Sequence, residues 1–145
     1  MNPFETVSLV DGPAWEVSGS RDLSLMLRAI GALVPELTRI HLNAYAMAND
    51  VRDALAPFSE PTEDRDLVTL RGSPGLFELL SRLADSHAAP EICFGIIGFS
   101  STRRVLEWFD IPGDPVYIDL SVAADRVSQV TKDFSLSYEL VRGNA

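Results

Sequence analysis

Apolar and polar positions along the chain fall into two kinds of rhythm. Leu23, Met26, Leu27, Ile30, Leu33 and Val34 recur at helical spacing and form one stripe, which predicts a helix from Arg21 to Leu33. Ser20 precedes it as a candidate N-cap, and Pro35 stops it. Leu76, Phe77, Leu79, Leu80 and Leu83 give a second helical face, with Ser73 suited to the cap and Pro74 to the first turn. The other rhythm is alternation. Val116, Ile118, Leu120 and Val122 alternate with Tyr117, Asp119 and Ser121, and Phe134, Leu136, Tyr138 and Leu140 alternate with Ser135, Ser137 and Glu139. Both read as strands, and the polar face of the second predicts a sheet that meets solvent on one side. Leu67–Leu70 is a short apolar strand, and Ile92–Phe99 reads as a buried central one.

Four stretches carry mixed signals. Val7–Val10, Asp11-Gly12-Pro13 and Ala14–Val17 predict a small hairpin or two short strands, with turn chemistry between them. In 35–57 alternation over Thr38, Ile40 and Leu42 competes with a helical face through Leu37, Ile40, Ala44, Val51 and Leu55; we take a strand at 37–42 and a helix at 46–56. Ser100-Ser101-Thr102 either caps a short helix carrying Val105, Leu106, Trp108 and Phe109, or leads a strand at 103–111 that turns at Pro112-Gly113-Asp114. Residues 123–131 form a helix or a wide turn. The sum is an α+β or mixed α/β domain spanning 1–145. It has a sheet of about five strands, three or four helices and a strand-rich C-terminal third.

The chain has 145 residues, 46% hydrophobic and 23% charged, close to the soluble globular average. Its longest uncharged run, Ile92–Thr102, is 11 residues and includes two glycines. A membrane span needs about 20 apolar residues, so no membrane partner is expected. Met1–Glu5 lacks the basic and apolar regions of a secretory leader. The single cysteine, Cys93, cannot form an intrachain disulfide and sits in an apolar run. We read it as a core thiol in a cytoplasmic protein.

Twelve basic residues against 21 acidic ones give a net charge of −9. Phosphate backbones are held by Lys and Arg, so direct nucleic-acid binding is disfavoured. The densest charge lies at 50–66, where Asp50, Asp53, Glu60, Glu63, Asp64 and Asp66 oppose Arg52 and Arg65, six against two, a local −4. Within it, Pro57–Asp66 reads as a loop with Phe58 between prolines. An acidic loop with an aromatic anchor suits a protein-binding surface. Asp53, Phe58, Glu60, Glu63, Asp64 and Asp66 are its candidate partner-binding residues.

The sequence offers little catalytic chemistry. His41 and His87 are the only histidines and fit no metal-ligand spacing; we read both as helix-terminal or exposed. Gly98-Phe99-Ser100-Ser101-Thr102 departs from the nucleophile-elbow pattern at Thr102, and no histidine follows it, so we read its serines as helix caps. Asp110, Asp114 and Asp119 are candidate carboxylates that lack any sign of burial. Trp108 reads as core, and Trp15, in a terminal segment, as the more exposed tryptophan.

Arg71-Gly72-Ser73-Pro74-Gly75-Leu76 lies between a strand and a helix, where backbone N–H groups favour an anion. Over about ten residues it resembles the acetyl-CoA pyrophosphate loop of the small N-acetyltransferases, Arg/Gln-x-x-Gly-x-Gly/Ala, with Pro74 where that loop has its first glycine. The resemblance implies a transferase binding CoA or a nucleotide through Arg71, Gly72, Ser73 and Gly75. No resident cofactor or metal is expected otherwise. The leading expectation is a non-enzymatic, acidic binding protein that masks a basic protein partner. Immunity proteins and antitoxins are of that physical type. The alternatives are the transferase and a structural or regulatory subunit.

Overall fold

A computed structural model of the chain describes residues 4, 9 and 12–142. The elements run β1 (Ala14–Ser18), α1 (Leu23–Leu33), β2 (Arg39–Asn43), α2 (Asn49–Leu55), β3 (Ser59–Glu60), β4 (Leu67–Arg71), α3 (Leu76–Ala84), α4 (Ala89–Ile92), β5 (Gly95–Ser100), β6 (Arg103–Phe109), β7 (Val116–Asp119), α5 (Ala124–Asp133) and β8 (Ser137–Val141). The eight strands form one antiparallel sheet in the order β3-β4-β2-β5-β6-β7-β1-β8. The α+β class matches the sequence; the sheet is larger than about five strands, and the described residues form five α-helices rather than three or four.

Register fixes what each face carries. Val17, Val116 and Trp108 lie opposite one another in β1, β7 and β6, as do Trp15, Ile118 and Leu106. These residues join Ile40, Leu42, Val68, Leu70 and Ile96 in the core with Leu27, Ile30 and Leu33 of α1 and Leu76 and Leu80 of α3. Glycine sets the spacing of those two helices, since a Cβ on Gly31 would come within 2.9 Å of Phe77 Cβ. On the opposite face a single register row reads Glu16, Tyr117, Glu107, Ile97, His41, Thr69, Glu60. Part of that row is covered: Leu9 is buried, and its N–H donates to Glu107 Oε1 at 2.7 Å. Phe4 meets Phe109 edge-on with 6.2 Å between ring centroids.

Several local expectations change. Asp22, not Ser20, caps α1 by accepting from Leu25 N–H at 3.1 Å, while Ser20 accepts from Asp22 N–H. Gly75 takes the cap position of α3 at φ 81°, a left-handed geometry that favours glycine over Ser73. Of the two readings of 100–111 the strand holds, as β6: β5 turns directly into it with Ser101 at φ 58°, and Ser100-Ser101-Thr102 caps no helix. Ile92 ends α4, so β5 starts later than the apolar run suggests. The loop after α2 contains a 3-10 turn at Ala56–Phe58 and the two-residue β3. The second of the two expected N-terminal strands is present as β1 and pairs with β7 and β8 rather than in a hairpin; of the first, Val7, Ser8 and Val10 lie outside the described residues, as does Asp11 of the turn.

Candidate docking groove

Asp64 and Asp66 sit in the connection leading into β4, and the geometry there is set by short bonds. Asp64 accepts the Asp66 N–H at 2.9 Å, and the Asp66 carbonyl accepts the Ala44 N–H at 2.7 Å. The second bond ties the acidic connection to the end of β2. Asn43 in turn accepts the Phe94 N–H through its carbonyl at 2.9 Å, and its side chain accepts from the Tyr45 N–H at 3.3 Å. Three distant segments thus converge on one cleft of about 450 Å3 that brings together Tyr45, Phe94, Phe4, Asp64, Asp66 and Asp110. Tyr45 is 73% exposed, the most exposed large hydrophobic side chain among the described residues, and is tilted against Phe94 with 6.2 Å between centroids. Among the described residues, Asp64, Asp66 and Asp110 have no cation partner.

The other acidic candidates lie elsewhere. Phe58 packs half-buried against the core, because the 3-10 turn directs it inward, so it is not the exposed anchor. Glu60 pairs with Arg39 at 3.3 Å on the sheet. Asp53 is exposed on α2 and Glu63 in the loop, and neither lines the cleft. Tyr45, the aromatic that does stand out, follows β2 in an Ala-rich connection; its signal was a tyrosine amid small residues with no apolar periodicity.

The turn at 72–76 lines a different cleft, of about 360 Å3, with Arg28 and Glu78 at its rim. Arg71 is not part of it. Its guanidinium donates to the carbonyls of Pro57 at 2.6 Å and Ser59 at 3.3 Å, clamping the loop before β3. Gly72 N–H is likewise used, donating to Thr38 carbonyl at 2.8 Å. The cleft therefore lacks the arginine that the acetyltransferase-like reading requires, and it carries a carboxylate.

Both histidines are structurally engaged. His41 lies within β2 rather than at a helix end, its Nδ1 3.0 Å from Thr69 Oγ1 and its ring edge-on to Phe99. Burial and neighbouring Arg39 push its pKa down. His87 follows α3, with Nδ1 2.7 Å from the Leu83 carbonyl and Nε2 2.8 Å from Asp50. Those acceptors raise its pKa, and the same contact lowers that of Asp50. Cys93 is buried, and desolvation pushes its thiol up to about 12. Burial pulls Asp119 upward, but its hydrogen bonds with Arg103 and Ser121 outweigh this and hold it below the usual range. Trp108 is fully buried, and Trp15 is half-buried with its indole N–H on the Val122 carbonyl. No group of three or more His, Cys, Asp or Glu could hold a metal among the described residues, and no helix among them is long and apolar enough to cross a membrane.

Fold and groove define an α+β protein with an eight-stranded antiparallel sheet and an acidic, aromatic-lined cleft at one end of β2. Comparison with protein-family models, curated proteins and solved structures returns no match for this chain.

Proposed function

We propose that the protein is a non-enzymatic docking module that masks a basic partner protein, in the manner of an immunity protein or antitoxin. One observation carries the reading: three carboxylates that have no cation partner among the described residues share a cleft with an exposed tyrosine. An arginine or lysine of the partner entering this cleft meets Asp64, Asp66 and Asp110 at its charged end and the rings of Tyr45 and Phe94 along its stem. Carboxylate pairing and cation–π attraction then act on one side chain. The net charge of −9 steers a basic surface toward the site from a distance, an effect that salt screens.

The test starts with a tagged pull-down from native lysate, washed at low and high salt, with bound proteins identified by mass spectrometry. Association with the partner so identified is then timed for the wild type and for Asp64, Asp66 and Asp110 reversed to Lys. The reversal slows association and flattens its salt dependence much more than reversing Asp85 and Asp133, outside the cleft, which changes only the long-range steering. Tyr45→Ala weakens affinity by about 2 kcal/mol or more, as central aromatic anchors do. It leaves stability within about 0.5 kcal/mol, because so exposed a side chain supports little packing. An unchanged association rate in the triple reversal removes this cleft from the account. A rise in melting temperature with acetyl-CoA would instead favour the transferase reading of the 72–76 turn.

A further inference from the structure

A third cleft, of about 390 Å3, lies where α5, the start of β6 and the segment after α1 meet. It shares Val34 and Leu37 with the 72–76 cleft and nothing with the docking groove. Val34, Leu37, Val105 and Val122 give it apolar walls. Its charged groups are Arg103, Arg126 and Glu36. In a chain so rich in acid, two arginines from separate elements at one apolar cleft are an unusual concentration of donors.

Both arginines are held from behind. Arg103 donates through Nε to Asp119 at 2.7 Å, and Asp119 also accepts the Ser121 N–H at 3.1 Å. Arg126 Nη1 lies 2.9 Å from Glu36 and 3.5 Å from the Leu33 carbonyl. A guanidinium has five N–H donors. Among the described residues, the terminal amino groups of Arg103 and the Nη2 and Nε groups of Arg126 have no acceptor. Ion pairs therefore fix where the two forks stand and leave donors over. A mostly apolar cavity of this size, with a few convergent polar groups, is the usual form of a small-molecule site.

The geometry points to a binding site for an amphipathic monocarboxylate, its headgroup bridging Arg103 and Arg126 and its hydrocarbon lying along Val34, Leu37, Val105 and Val122. Asp119 and Glu36 already offset the two arginines, so a bound monocarboxylate leaves one negative charge in excess and a dianionic phosphate two, which ranks the monoanion first. Glu36 competes with the headgroup for Arg126.

Octanoate is the probe, titrated into the whole protein and followed by amide chemical shifts, with 1-octanol, octyl phosphate and octylammonium as matched controls. Octanoate produces saturable shifts at Val34, Val105 and Ser121–Arg126, and the controls bind more weakly. Arg103→Gln, an exposed position, and Arg126→Gln each weaken binding about tenfold, the loss of one charge-assisted contact. Glu36→Gln tightens it several-fold by releasing Arg126, an outcome that a merely structural ion pair would not produce. Absence of saturable shifts overturns the proposal, and so does equal binding of 1-octanol, tighter binding of octyl phosphate, or indifference to Arg103→Gln. Weaker or unchanged binding in Glu36→Gln overturns it too.

Discussion

Glu107 is fully buried, accepts the Leu9 N–H at 2.7 Å and binds Arg104 Nη1 at 3.0 Å. Arg104 is itself largely buried and lies over the Phe99 ring, 5.6 Å from its centroid. Removing one member of such a pair leaves the other charge in a poorly solvated place. Glu107→Ala should therefore cost about 3–5 kcal/mol, well above the value of an exposed ion pair. For a chain of this length that is a fall in melting temperature of roughly 10–15 °C. Glu107→Gln keeps an oxygen for Leu9 and loses only the charge, so its cost should be about 1.5–3 kcal/mol. Replacing the pair together, Arg104→Met with Glu107→Leu, should recover only part of the loss: the apolar pair needs no desolvation, but the buried Leu9 N–H still lacks its acceptor. Urea denaturation followed by circular dichroism measures all three. Hydrogen exchange at the Leu9 amide should accelerate in Glu107→Ala more than in Glu107→Gln. A cost below about 1 kcal/mol for Glu107→Ala, with unchanged exchange at Leu9, would refute the claim that this carboxylate is desolvated and ties Leu9 to the sheet.

Gly72→Ala should destabilise by about 2–4 kcal/mol, because its Cβ would overlap the Leu37 carbonyl oxygen and lie 2.9 Å from Thr38 Cα, displacing the Gly72–Thr38 bond; denaturant titration measures this. The His87–Asp50 contact should stabilise most between the ordinary pKa values of the two groups, 3.8 and 6.5. The raised His87 contribution is lost as pH climbs through its folded pKa, and the depressed Asp50 contribution is lost as pH falls through its own. His41, shifted the other way, adds stability at higher pH, so the pair is isolated by the difference between wild type and Asp50→Asn in melting temperature against pH. The NMR titration of His87 should move down in that variant. Cys93 should resist thiol reagents at pH 8 in the folded protein and react fully in denaturant, given its burial and its pKa of about 12.

Elements whose periodicity ran undisturbed were legible in the sequence. The α1 stripe, the alternation of β7 and the strand-then-helix order across 39–55 all reappear, because each buries one face against the same core. The apolar run at 92–94 misled, since a helix end and a central strand bury such residues equally well, and only the bond from Cys93 N–H to the Ala89 carbonyl separates them. β3 has two residues and no periodicity to read; it exists because Ser59 and Glu60 lie against Leu70 and Thr69. The same limit governs the groove. Asp64 and Asp66 were visible as charge, but their convergence with Tyr45, Phe94 and Asp110 depends on the β2–β5 register and the Ala44–Asp66 bond. Phe58 looked exposed because prolines flank it, and its burial follows from a turn whose direction no pattern records.

The place of β1 in the sheet has a consequence for how the chain is made. Trp15 lies between Ile118 and Leu140, so its strand leaves the ribosome long before either neighbour. At about 5–20 residues per second, the nascent β1 waits on the order of ten seconds before both its partners exist. During that interval β2, β4, β5 and β6 can pair among themselves, while Val17 and Trp15 have no sheet to join. Closure of the sheet is then a late event that joins β1 to β7 and β8, and it is the step at which a second nascent chain could donate the wrong β1.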